Sequence, residues 1–442
     1  MEAAVSEALQ ISLTPERLDE GSAEERAAFG LLCIQANGAA LTEGFDYFIM
    51  NYRRGPLVSG YHAAEWLAWN WWRLRWEPRS RSPDWWRAHK MTAIGEGYVW
   101  PNLTIFSDGL RTALLAAPSS RPDAKPFRYT GANPRVVPST VFEQAVDSFV
   151  PQILARLRDA GIKESNLHTL WNNVLDERHD PTVALRRKFE ALLGVEPDEA
   201  DTVVDQLTRD AQALGQDAMG EVAADTDLGR TVSTASDFRA IAEREGYDSR
   251  SGDMVRLERD DRPHQTGPET PAWLAGTRAA KALRQQEGLG DGSIENDRLA
   301  QMVGVQTSAL GRDGRTADMS FILDEGPRHP SRIVLRSKWD TGRRFELARL
   351  LGDRLMTAAG KGLFPATRSH TFRQKAQRAF AAEFLAPFDE VNARLDGDFS
   401  EESRQDVAGQ FGVSELAIRT LLVNHRRLER DELDEDFDVA AA

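Results

Sequence analysis

The chain has 442 residues, 41% hydrophobic and 28% charged, with a formal net charge of −14. That length exceeds one ordinary hydrophobic core and predicts more than one domain. The acidic balance argues against a protein held to nucleic acid mainly through phosphates. The single cysteine, Cys33, excludes an intrachain disulfide or a thiolate zinc cluster.

The start, MEAAVSEALQ, lacks the basic-then-apolar pattern of a signal peptide. No run of about 18 apolar residues suggests a membrane span. The expectation is a cytoplasmic protein of helix-rich α+β class with several domains.

Residues 1–134 are expected to form a Trp-rich α+β domain. EERAAFGLLCIQANGAALT has helical apolar spacing, and FDYFIMNY reads as a strand from its aromatic and β-branched content. YHAAEWLAWNWWRLRW predicts one helix with Trp66, Trp69, Trp72 and Trp76 near one face, and YVWPNLTIFSDG a strand starting after Pro101. Residues 135–225 read as helical. Ser139 and Thr140 are cap candidates there, Pro151 is expected to break the first helix, and Gly194 to end the second. DEADTVVDQLTRDAQALGQDAM predicts a third. Residues 226–289 are polar and rich in Gly and Pro, as an irregular linker or peripheral segment would be. Residues 290–428 alternate helix and strand signals, and 429–442 form an acidic tail.

Eight of the eleven tryptophans lie between Trp66 and Trp100, interleaved with arginines. Three readings stand for this segment: a core with amphipathic edges, a protein interface, or a nucleic-acid stacking groove. The interface candidates are Trp66, Trp69, Trp72, Trp76, Trp85 and Trp86, with Arg73 and Arg75.

The eight histidines are His62, His89, His168, His179, His264, His329, His370 and His425, and none forms HxH or HxxxH. A zinc peptidase normally needs two imidazoles one helical turn apart and a glutamate to activate water. His168 and His179 would stand roughly 16 Å apart on a continuous helix, too far to share an ion. No phosphate loop, nucleophile elbow or dinucleotide fingerprint is present. No metal and no cofactor are expected.

Three stretches in the last region nevertheless agree in order and spacing: SRIVLRSKWDTGRRFELARLLGDRL, FRQKAQRAFAAEFLAP and DVAGQFGVSELAIRTLLVNHRRL. Together they resemble the strand, metal-binding helix, second core helix and closing helices of the ImmA/IrrE metallopeptidase family, over 290–428. Arg344, Phe345, Leu347 and Ala348 match the lead-in to that family's HExxH helix. Gly352 matches the glycine before the second histidine. Ala376, Phe380, Ala381, Glu383, Leu385 and Pro387 match packing positions, with Gln377 in place of the usual Asn. Phe411, Val413 and Ser414 match the closing pair. The resemblance implies a zincin-like domain whose chemical positions are vacated. The two histidines fall on Arg349 and Asp353, the catalytic glutamate on Leu350, and the third ligand on Arg373. Leucine cannot deprotonate water, and arginine is permanently positive. Arg349 and Asp353, at i and i+4, are expected to form a surface ion pair, with Arg373 joining them.

Glu295–Leu310 and Ser403–Leu422 have helix-turn-helix spacing, but the second helices offer base edges little beyond Arg419 and one glutamine. The leading functional expectation is a non-catalytic protein, a peptidase-like shell that binds a protein partner. The resemblance places it in bacterial stress response, mobile-element control or phage defence. The alternatives are a DNA-associated regulator or assembly subunit using the Trp/Arg segment, and a zinc peptidase with an unconventional site that recruits residues such as His370 and Asp353. Neither a membrane nor, in the leading reading, a nucleic acid is an expected partner.

Overall fold

A computed structural model describes residues 9–80, 84–132, 134–226, 231–250, 254–258, 269–311, 317–326, 329–357 and 362–429. It is a helix-rich mixture of α and β, with seventeen α-helices and small antiparallel sheets among those residues. The chain divides into two compact units at Asp201/Thr202, so the helical stretch 135–225 is shared between them.

The first unit opens with β1 (Leu9–Pro15), α1 (Ala23–Ala27), β2 (Phe29–Ala36), β3 (Ala39–Ala40), β4 (Gly44–Asp46), β5 (Asn51–Arg53) and β6 (Leu57–Ser59). Next come α2 (Gly60–Trp69), α3 (Trp71–Trp76) and α4 (Trp85–His89), then β7 (Leu103–Ser107), β8 (Arg111–Ala116), β9 (Phe127–Tyr129) and β10 (Arg135–Pro138). Three helices follow: α5 (Ser139–Asp159), α6 (Asn166–His179) and α7 (Pro181–Leu193). Strand β2 pairs with β1 on one side and with β3 and β6 on the other; β10-β8-β7 and β5-β4-β9 make two further sheets. Leu9, Ile11 and Leu13 alternate inward along β1 and join Leu32, Ile34, Phe142, Phe149 and Ile153 in one core.

Several local expectations give way here. FDYFIMNY is a hairpin, not a strand: β4 and β5 flank a turn in which Met50 has φ 52°. The Trp helix breaks at Asn70 into α2 and α3. Pro151 lies inside the unbroken α5, because the burial of Phe149, Val150 and Ile153 around it outweighs one missing backbone donor. Ser139 does not cap; its hydroxyl is buried against those of Ser107 and Thr112. Asp180 caps α7, with Pro181 at its first turn and left-handed Gly194 at its end.

The second unit carries α8 (Asp201–Leu214), α9 (Gln216–Ala224), α10 (Ala235–Glu245), β11 (Tyr247–Ser249), α11 (Ala272–Gln286), α12 (Asn296–Val303), β12 (Ser320–Asp324) and β13 (Ser331–Val334). It continues with α13 (Asp340–Met356), β14 (Gly362–Ala366), α14 (Phe372–Leu385), α15 (Phe388–Leu395), α16 (Glu401–Phe411) and α17 (Glu415–Asn424). The sheet order is β11-β13-β12-β14, all antiparallel. The predicted third helix of the sequence is two, α8 and α9, separated by Gly215 at φ 101°. The stretch 226–289 is not simply irregular. It supplies α10, β11 and α11, and buries Met254 and Leu257; its residues 227–230, 251–253 and 259–268, His264 included, lie outside the described residues, as does the tail from 430.

Candidate functional site

Helix α13 is buried along most of its circumference: Leu347, Ala348, Leu350 and Leu351 are fully enclosed, and five charged residues, Arg343, Arg344, Glu346, Arg349 and Asp353, are buried with them. A charge taken out of water must be paired or hydrogen-bonded. The way each one is satisfied defines the site.

Asp353 is 1% exposed at its side chain and is held by Arg373 of α14, with Nε–Oδ1 and Nη2–Oδ2 both 2.7 Å. Burial works against the Arg373 charge, but Asp353 outweighs it and holds the guanidinium pKa above its ordinary value. The expected Arg349–Asp353 surface pair therefore does not form. Both side chains are buried, and the two-pronged geometry selects Arg373 instead.

Arg349 turns to neutral acceptors. Its Nη2 donates to Thr367 O and Gln374 Oε1, both at 2.7 Å, while its Nε has no acceptor. Burial pushes its pKa down to about 9, still leaving it protonated at neutral pH. Gln374 Nε2 and Gln377 Nε2 both donate to Pro365 O, at 3.0 and 3.1 Å. Pro365 lies on the edge strand β14, where a missing N–H costs the ladder little. Leu350 is 0% exposed and sits in the core.

Arg344, the first residue of the lead-in motif, is a structural clamp. It donates to Ile294 O at 2.7 Å, to Gly412 O at 3.2 Å beyond the end of α16, and to Asn296 Oδ1. Arg343 similarly serves Ala309 O, Ser337 O and the Tyr247 hydroxyl. Glu346 accepts from Ser320 Oγ and Ser337 N, tying β12 to the loop before α13.

Sequence reasoning missed Glu221 of α9. It is buried, accepts from Thr371 Oγ1 at 2.6 Å, and burial raises its pKa. The available signal was a lone acid in the apolar run AMGEVAA.

The Trp segment is mostly core. Trp66, Trp71, Trp85 and Trp100 are buried; Trp72 donates to Glu177 at 2.6 Å; Trp76 lies 3.9 Å from the Arg75 guanidinium. Arg73 is paired with Glu77 and Glu196, and Arg75 with Glu143. Of the eight interface candidates, only Trp69 (62%) and Trp86 (45%) are exposed.

The Glu295–Leu310 segment has no second helix for a groove: after α12 only a 3-10 turn, Thr307–Leu310, follows, with Ala309 and Leu310 buried. Among the described residues, one set of side chains could close on a metal ion, Glu190, Asp198 and Asp201, and Arg186 and Arg187 already pair with it. No described helix is long and apolar enough to cross a membrane. No family model, curated protein or solved structure matches the chain.

Proposed function

We propose that this is a non-catalytic regulatory or scaffold protein. In this reading, 290–428 is a zincin-like, ImmA/IrrE-type shell that has lost its metal site and binds a protein partner, in a stress-response, mobile-element or phage-defence role. The observation that carries it is the closure of Asp353 by Arg373. Asp353 is the one residue of the four aligned positions able to ligate zinc, and both its oxygens are taken by a permanent cation. The fixed charge of Arg349 stands one turn away, and Leu350 offers no base. These residues do not fit a zinc ion, and no catalytic step is derived through one.

The unconventional zinc peptidase is supported less for the same reason. The DNA-associated reading loses Arg73 and Arg75, whose charges are spent on carboxylates. The test is the full chain purified from its host under native conditions. A partner present at fixed stoichiometry, with no peptidase activity and no bound zinc, is expected. Stoichiometric zinc in the parent, lost in an Asp353→Asn variant that still folds, would establish the peptidase reading instead. An isolated monomer that elutes from heparin only at high salt would favour the nucleic-acid reading.

A further inference from the structure

A cleft of about 340 Å³ opens on the first unit beside α2. His62, Glu65, Trp66 and Trp69 follow the i, i+3, i+4, i+7 spacing that puts residues on one helix face, and all four line it. Glu96 closes another wall. It lies in the loop Gly95–Glu96–Gly97, whose three residues have φ of 76°, 56° and 77°. A non-glycine side chain rarely adopts that region. Trp100 Nε1 donates to Gly95 O at 2.6 Å and pins the loop.

The cleft is unevenly satisfied. Glu65 Oε1 accepts from Asn166 at 2.7 Å and from the Tyr61 hydroxyl at 3.2 Å, while its Oε2 faces His62 Nδ1 at 3.7 Å. Glu96 makes no hydrogen bond or ion pair among the described residues, and Trp69 is 62% exposed. An indole face attracts cations, and a carboxylate pairs with ammonium or guanidinium groups. His62 is paired with Glu65 and Glu25, and Glu96 has no such partner among the described residues, so the lining keeps a net negative charge that disfavours anions. A metal ion is a poor fit, because the two ring nitrogens of His62 face different carboxylates, Glu25 at 3.4 Å and Glu65 at 3.7 Å. The volume suits one side chain or small molecule.

We propose that this cleft binds an organic cation, a guanidinium or alkylammonium group, between the Trp69 indole and the Glu65 and Glu96 carboxylates. The group is either a free small molecule or an Arg or Lys side chain of a partner. The proposal does not rest on the reading of 290–428.

Calorimetric titration of the full chain tests it, with agmatine as the free cation, acetyl-Gly-Arg-Gly-amide as the side-chain form, and acetate as the anionic control. Saturable binding of a cationic probe is expected, weakened about tenfold by Trp69→Ala and again by Glu96→Gln. Both residues are exposed, and unchanged thermal unfolding shows that the variants fold. Tighter binding of the peptide identifies a partner side chain as the source, and tighter binding of agmatine a free ligand. No saturable binding of either cation overturns the proposal. So does binding that both variants retain, or acetate binding as well as the cations.

Discussion

Arg373 grips Asp353 through two parallel hydrogen bonds of 2.7 Å, joining α14 to α13 across twenty residues of sequence. Such a pair is costly to desolvate, and removing one partner strands the other charge. Asp353→Ala is therefore expected to destabilise the second unit by about 3–5 kcal/mol. Replacing both, as Asp353→Leu with Arg373→Met, should recover most of that loss. Urea unfolding of the single and double variants measures both. Equal stability of Asp353→Ala and the parent would mean that the pair is not buried as described.

The two helices also meet through Gly352. A Cβ there would stand 2.5 Å from Phe380 Cδ1 and 3.1 Å from Phe380 Cβ. Phe380 is fully buried and stacked on Phe384 at 5.2 Å, so the ring has nowhere to retreat. Gly352→Ala would improve helix propensity in an exposed helix, yet here overpacking should dominate, at a cost of about 1–3 kcal/mol. A lowered thermal midpoint checks the sign.

The second unit was legible in part: 290–428 alternates helix and strand as expected, while α10, β11 and α11 lie in a stretch that reads as irregular. Thr371, Ser400 and Ser414 each precede an apolar-periodic run, and each caps the helix that follows, α14, α16 and α17. What the helices do with their charges was legible only in part: Arg373 was expected to join an Arg349–Asp353 pair, and instead it holds Asp353 without Arg349. Nothing local says that Asp353 pairs with Arg373 rather than with Arg349 one turn before it, because tertiary burial decides that choice. The aromatic run FDYFIMNY misled for a related reason. Aromatic content fits a strand, but Asp46 accepts from Phe48 N at 2.8 Å and starts a turn. The cleft on α2 was legible only by half: Trp66 and Trp69 stand at helical spacing, while Glu96 lies in a loop beyond any helical periodicity.

Arg344 supports a prediction about the lead-in motif itself. Its guanidinium satisfies Ile294 O and Gly412 O, carbonyls that belong to different segments. Arg344→Met leaves those acceptors unpaired and should cost about 1–3 kcal/mol for each one that water cannot reach. Arg344→Lys should rescue only part, since an ammonium cannot reproduce the planar fork. Hydrogen exchange localises the effect: amides of α12 and α16 should lose protection before those of the first unit.

The last prediction concerns His62 and its pH dependence. Glu65 is the chief cause of its raised pKa, burial opposes it, and Glu25 and Glu96 add to the rise. Glu25 is lowered by the Ser22 backbone N–H and, after burial's opposing effect, by Tyr98 and His62; Glu65 is lowered chiefly by His62. A raised histidine contributes stability that is complete below its unfolded value of 6.5 and lost as pH rises through the folded value. A lowered carboxylate contributes stability that is complete above its unfolded value of 4.5 and lost as pH falls through the folded value. All three contributions therefore coincide between pH 4.5 and 6.5. The His62 ring resonance should titrate with a midpoint above 6.5. Glu96→Gln should move that midpoint down, because a negative charge facing the imidazolium is removed. His62→Gln should flatten the fall in the urea midpoint as pH rises above 6.5, a fall that must persist unchanged if another group is responsible.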